Sequence, residues 1–329
     1  MQPTHGFIQS HFIQSNGLEF CVEERGDPQG VPLVLIMGLG GQLTLWPDAL
    51  VDALAAEGYR VIRFDNRDIG LSSEVEPRCF CNVPLAYSQY ALGLRARADY
   101  SLYDMAEDTL GVLDALQLPS AHIVGASMGG MIAQILAAHH PHRVSSLTLL
   151  MTSTNDARMT AINLAAGWHL CRGALQGHRW ESFQSVGLGC WRAIQSPKYP
   201  APDEEILEIL RRNYERSHRP WGILRQVMAI AATGSLRPLL ARIPHPTQII
   251  HGDSDPLLRP IGAQFLAKHI PESQLALIPG MGHDLPRELL PQITDLIQQN
   301  VIRGANFDHS IYIPASAPIP TPIRTAAGH

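Results

Sequence analysis

Six short apolar bursts, separated by longer segments of helical period, leave this chain few folds to choose from. The bursts are PLVLIM (residues 32–37), RVIRF (60–64), AHIV (121–124), LTLLM (147–151), TQII (247–250) and QLALI (274–278). None alternates strictly between apolar and polar residues, so none has one face in water. Each must be covered on both sides, as the strands of a parallel sheet are. The covering helices are expected over 46–57, 102–116, 129–140, 261–269 and 287–299. The fold class that results is α/β, built on a mostly parallel sheet flanked by helices.

The spacing of the bursts breaks once. Between residues 152 and 242 nothing strand-like occurs, and the stretch holds Trp168, Trp180, Trp191 and Trp221, four of the five tryptophans. It reads as a helical insertion lying over the sheet, whose tryptophans either fill a small core of its own or face a substrate. The chain divides accordingly: a first core part over 1–151, the insertion over 152–242, a second core part over 243–302, and a Pro-rich tail over 303–329. Residues 74–99, with Cys79 and Cys81, form either a lid element or a plain long loop, a length of irregular chain that is often functional.

Lys and Arg number 25 against 30 Asp and Glu, a formal net charge of −5, which argues against nucleic acid as a partner. The five cysteines are spread out and form no metal-ligand spacing, as in reduced cytosolic proteins. The first residues carry neither a basic segment nor a continuous apolar one, and no apolar run reaches the roughly 20 residues of a membrane span. The expected compartment is the cytoplasm.

The sharpest chemical signal is AHIVGASMGG, residues 121–130, in which an apolar strand runs through Gly125-Ala126-Ser127-Met128-Gly129 into the helical MIAQILAAHH. This is G-x-S-x-G in the strand-turn-helix setting the pattern requires. The tight turn strains the central residue and demands small neighbours two positions away on each side. It lifts the Ser127 hydroxyl clear of the sheet and turns the Met128 amide, with the helix N-terminus, toward any oxyanion formed there.

A serine hydroxyl is a weak nucleophile until a base takes its proton, so a histidine with an acidic partner is needed. Of 15 histidines, His283 in IPGMGHDLP sits in a Gly-rich loop between a strand and a helix, at the sheet edge where ligands bind. Others have plainer places: His139, His140 and His142 at a helix end, His122 and His251 beside strands. The acid comes from TQIIHGDSDPLL, where Asp255 is the first choice and Asp253 the fallback, a turn-stabilising carboxylate being the other use of such a residue. A second oxyanion amide fits Leu39 in LVLIMGLGGQ, whose glycines, Gly38 among them, let the backbone approach a substrate closely. GLGG lacks the G-x-G-x-x-G spacing of dinucleotide sites.

With these residues in place, the chain resembles the α/β-hydrolase superfamily from about Val31 to Gln299. The run MGLGGQLTLWPDALVDALAAEGYRVIRFDNRDIGLSS followed by GASMGG is similar to the cofactor-independent bacterial hydrolases related to aclacinomycin methylesterase. The resemblance implies a mostly parallel eight-stranded sheet, a helical cap after the sixth strand, and a serine triad cleaving esters through an acyl-enzyme. Carried over, Ser127 is the nucleophile, Asp255 the acid, His283 the base, and Leu39 and Met128 the oxyanion amides. Two departures stand out. Met37-Gly38 replaces the usual His-Gly, so whatever that histidine does is done otherwise here. FDNRDIGLSS has Asp68 where the commoner pattern has Gly, and its Asp65 and Arg67 are expected to brace loops through a salt bridge.

The expected activity is therefore a carboxylesterase acting on a small-molecule ester, with no metal or organic cofactor implied and a homodimer left open. Ser127 at the elbow excludes relatives that use a carboxylate nucleophile. An aminopeptidase, C–C bond hydrolase, perhydrolase or acyltransferase would share the triad, and a non-catalytic ligand receptor would share the fold. Selectivity is expected from 152–242 and 74–99, where Tyr87, Tyr90, Trp168 and Trp191 suggest a hydrophobic acyl or alcohol group.

Overall fold

The computed structural model describes residues 8–79, 81–157 and 179–307. Eight strands form one sheet: β1 (Ile8–Ser15), β2 (Leu18–Gly26), β3 (Val31–Ile36), β4 (Tyr59–Phe64), β5 (Ala121–Ala126), β6 (Val144–Leu150), β7 (Thr247–Gly252) and β8 (Ser273–Ile278), in the order β1-β2-β4-β3-β5-β6-β7-β8. Every expected burst is a strand, and β3 to β8 pair in parallel; the last, at the sheet edge, is not covered on both faces as expected, since only its Ile278 is buried. The antiparallel β1 and β2 were not among the bursts, because polar residues interrupt both: His11 and Gln14 in β1, and Glu19, Glu23, Glu24 and Arg25 in β2. Their signal is the turn Asn16-Gly17, both at positive φ (52° and 74°), as tight hairpins require.

Helices cover both faces: α1 (Asp48–Ala56), α2 (Val83–Ala91), α3 (Leu102–Ala115), α4 (Met128–His139), α5 (Trp180–Ile194), α6 (Asp203–Arg216), α7 (Pro220–Thr233), α8 (Pro260–His269) and α9 (Leu290–Ala305). Alternate residues of one strand feed different cores, which is why the bursts are apolar throughout. In β3, Val34 and Ile36 join the core beneath α3, α4 and α8, while Leu33 and Leu35 join that beneath α1 and α9. All four are fully buried. The last helix begins three residues later than its sequence pattern and runs to Ala305, three residues into the expected tail. Residues 308–329 lie outside the described ones.

Residues 74–99 are more than a loop, since they contain α2, capped by the Asn82 side chain accepting from the Leu85 amide. Its Ala86 and Tyr90 pack on Met228 and Ala231 of α7. Among the described residues of 152–242 there is no strand; α5, α6 and α7 follow the sixth strand, as the pattern requires. Trp168 lies outside the described residues.

The Asp-x-Arg segment after β4 is a buried ionic hub, though its two charges do not pair with each other. Asp65 accepts from the Leu43 and Leu71 amides and pairs with Arg216 of α6 at 2.7 Å. Arg67 instead holds Asp108 of α3 through both carboxylate oxygens. Asp68 explains its own departure: it keeps the left-handed φ (72°) that favours Gly, and short polar residues tolerate that region. Its carboxylate then takes the Arg225 guanidinium of α7 at 2.9 and 2.7 Å and the Tyr100 hydroxyl at 2.6 Å. All three groups are buried. Removing one partner strands the other charge, so Asp68→Ala is expected to destabilise the fold by about 3–5 kcal/mol, read as a lowered urea midpoint.

Candidate active site

Parallel register sets the site. Ile36 of β3 pairs with Gly125 of β5, and Gly252 of β7 with Ile278 of β8, so the loops after these strands emerge side by side at the carboxyl edge. Ser127 follows β5 directly at φ 54° and ψ −118°, a conformation costing about 1–3 kcal/mol unless its surroundings enforce it. They do. The Ser127 amide donates to the Leu150 carbonyl at 2.9 Å, and the Ser127 carbonyl accepts from Thr152 Oγ1 at 2.6 Å. The small neighbours are obligatory: a Cβ on Gly125 would lie 2.4 Å from the Gly129 carbonyl oxygen, and one on Gly129 2.0 Å from that of Ile36.

His283 Nε2 lies 3.0 Å from Ser127 Oγ, and its Nδ1 lies 2.7 Å from Asp255 Oδ2. The other carboxylate oxygen of Asp255 accepts from the Leu257 and Leu258 amides, both at 2.8 Å. Burial alone would raise the Asp255 pKa; the charge and hydrogen bond of His283, helped by His251 and the Leu258 amide, outweigh it and hold the carboxyl below its usual range. His251, also buried, has its pKa pushed downward by desolvation; its Nε2 donates to the Leu258 carbonyl at 2.8 Å and lies 3.5 Å from Asp255 Oδ2. Asp253, the fallback acid, is turned elsewhere. It is exposed, and it accepts from the Gly280 amide at 2.7 Å and Ser254 Oγ at 2.8 Å, bracing the turn after β8.

The loop carrying His283 is gripped from the segment that follows α5, a contact between distant residues that no local pattern announced. The His283 amide donates to the Ile194 carbonyl at 2.7 Å, and the Gly282 amide to Ser196 Oγ at 2.7 Å. Ser196 in turn donates its amide and hydroxyl to Asp284. Burial raises the Asp284 pKa against the opposing Ser196 hydrogen bonds.

The loop after β3 stands on the other side of Ser127. Asn66 Nδ2 donates to the Met37 carbonyl at 3.0 Å, and the Gly41 amide to the Gly38 carbonyl at 3.2 Å. Among the described residues, the amides of Leu39 and Met128 have no acceptor. Ser127, His283, Gly38, Leu39 and Met128 all border one cavity of about 1260 Å³. Trp191, Tyr87 and Tyr90 line it as well, as do Cys79 and Cys81, which had no functional reading. Trp180 does otherwise, packing at tilted angles against Phe183 and Tyr214 between α5 and α6. Among the described residues no cluster of His, Cys, Asp or Glu is arranged to hold a metal, and no helix is long and apolar enough to cross a membrane.

A hydroxyl on a strained strand-to-helix turn, an imidazole reaching it, and a carboxylate behind the imidazole, all at the edge of an eight-stranded sheet, define a class, and a family pattern for the alpha/beta hydrolase fold matches residues 31–286. The chain belongs to the α/β-hydrolase family. Its relatives include the rhodomycin D methylesterase DauP of Streptomyces sp. (strain C5) and the rhodomycin D methylesterase DnrP of Streptomyces peucetius. Each is 32% identical over 313 residues, covering 85% of this chain and 93% of the relative. Among solved structures, the enol-lactonase from Burkholderia xenovorans LB400 superposes with a TM-score of 0.70 over 89% of this chain and 100% of its own, at 21% identity, a likeness of fold. The relationship to bacterial methylesterases expected from the sequence holds.

Proposed function

We propose that the protein is a serine hydrolase that cleaves a carboxylic ester through an acyl-enzyme. The observation that carries this reading is the position of His283, within hydrogen-bonding distance of Ser127 Oγ on one side and Asp255 on the other. Ser127 Oγ attacks the ester carbonyl while His283 Nε2 takes its proton. Asp255 keeps the remaining ring proton on Nδ1 and stabilises the imidazolium. The amides of Leu39 and Met128, which have no other acceptor among the described residues, receive the oxyanion. Collapse of the tetrahedral intermediate expels the alcohol, which takes the proton from His283, and water then repeats the sequence to release the acid.

The relatives are named methylesterases, and a methyl leaving group occupies little of a cavity of about 1260 Å³. The substrate reading is therefore a methyl ester of a bulky, largely apolar acid. The helices α5, α6 and α7 act as a cap, bringing Trp191, Ile209 and Leu224 to the cavity, and α2, packed on α7, adds Tyr87 and Tyr90. Labelling with a fluorophosphonate, followed by peptide mass spectrometry, tests the reading. One label per chain on Ser127, with faster turnover of methyl than of butyl esters of an aromatic acid, is expected. A folded protein that takes no label would overturn it.

A further inference from the structure

We propose that Gln226 of α7 is a positioning residue for the oxyanion loop, supplying from the cap bracing that Met37, with no hydrogen-bond donor and only a weak acceptor in its side chain, cannot. The inference rests on the serine-hydrolase reading and names a further part of that site.

The cap holds Gln42, at the far end of the loop after β3, through Asn213, Ser217 and Arg216; among the described residues, three further hydrogen bonds hold residues 37–41. Two are internal to the core: Asn66 Nδ2 to the Met37 carbonyl, and the Gly41 amide to the Gly38 carbonyl. The third comes from the cap, where the Gly40 amide donates to Gln226 Oε1 at 2.9 Å. Gln226 is fully buried, and its Nε2 donates to the Arg67 carbonyl at 3.0 Å. Both ends of the amide are thereby assigned, since flipping it would set donor against donor at Gly40 and acceptor against acceptor at Arg67. The anchor is stiff at each end. Arg67 is clamped on Asp108, and α7 is tied by the neighbouring Arg225 to Asp68.

The consequence falls on Leu39. In a trans peptide the N–H points opposite to the preceding C=O. With the Gly38 carbonyl engaged by Gly41, the Leu39 N–H is directed away from the turn, and no acceptor among the described residues takes it up. Gln226 fixes the next peptide through Gly40, which sits at φ 68° with the Ile223 side chain against it. The two peptide planes flanking the Leu39 Cα are thus held from opposite sides, one by the core and one by the cap. A donor preorganised in this way acts chiefly on the transition state, so loosening it lowers kcat more than it raises KM.

The test compares Gln226→Met, of similar volume and without either bond, with Gln226→Glu, which keeps an acceptor for the Gly40 amide. Active sites are titrated by fluorophosphonate, and constants are expressed per titrated site. For Gln226→Met, kcat on a p-nitrophenyl ester is expected to fall about 10- to 100-fold with KM within about threefold of wild type. Inhibition by phenylboronic acid, whose tetrahedral adduct uses the same amides, should weaken by the same factor. Gln226→Glu should lie between Met and wild type. A purely structural loss would reduce the titrated fraction and leave the per-site constants alone, and that result overturns the proposal, as would a per-site kcat within twofold of wild type. Should Gln226→Met not fold, Gln226→Glu decides: a fall in kcat/KM with unchanged boronate affinity counts against Gln226. Failure of wild type to label would instead remove the serine-hydrolase reading itself.

Discussion

Ser127→Ala is expected to lower ester hydrolysis by at least about 10⁴-fold and to abolish fluorophosphonate labelling while leaving the protein folded. The hydroxyl contributes little to stability: among the described residues its one hydrogen bond is to His283 Nε2 at 3.0 Å, whereas the turn is held by backbone bonds to Leu150, Gly130 and Met131 that alanine preserves. Alanine keeps the same φ of 54° at the same conformational cost. Circular dichroism and the thermal midpoint should therefore stay close to wild type while kcat collapses. Hydrolysis persisting at a wild-type rate would show that the reaction runs on another group.

The second large effect is expected at Asp255, and its control lies two residues away. Asp255→Asn preserves shape, but an amide facing His283 Nδ1 favours the tautomer with the proton on Nε2, where it can no longer accept from Ser127. A loss of about 10³- to 10⁴-fold in kcat follows. Asp253→Asn should change kcat less than about twofold, because that side chain serves the Gly280 amide and Ser254. Equal losses in the two variants would remove Asp255 from its role. Stability carries a matching signature. The Asp255 carboxyl is held below its ordinary range in the folded state, so its contribution is complete above the unfolded value near 4 and is lost as pH falls through the lowered folded value. Urea midpoints of wild type and Asp255→Asn should therefore converge as pH drops below about 4.

How far the site could be read from sequence follows from the range over which each constraint acts. Ser127 was legible because close backbone approach at the elbow imposes glycine at 125 and 129, two positions read directly from the string. His283 and Asp255 were legible as strand-end residues, since buried parallel strands announce themselves and their carboxyl ends converge. The choice between Asp253 and Asp255 was only a preference, because both stand on one turn. Backbone amides 2.8 Å from Asp255 and the Gly280 amide 2.7 Å from Asp253 decide which carboxylate faces inward. Asp65 and Arg67 show the same limit: sequence proximity suggested a brace, yet each found its partner on a different helix.

The sequence by itself determined the α/β class, the six parallel strands, the elbow and the order in which serine, aspartate and histidine follow one another. These are local matters, set by side-chain period and by steric limits within a few residues. Only the tertiary structure decided that Ser196 grips the His283 loop, that Asp68 anchors α7, and that Gln226 reaches Gly40 from 186 positions away. A hydrogen bond depends on a distance of about 3 Å and on angle, and between segments far apart in the chain neither exists until the sheet has brought its strand ends together.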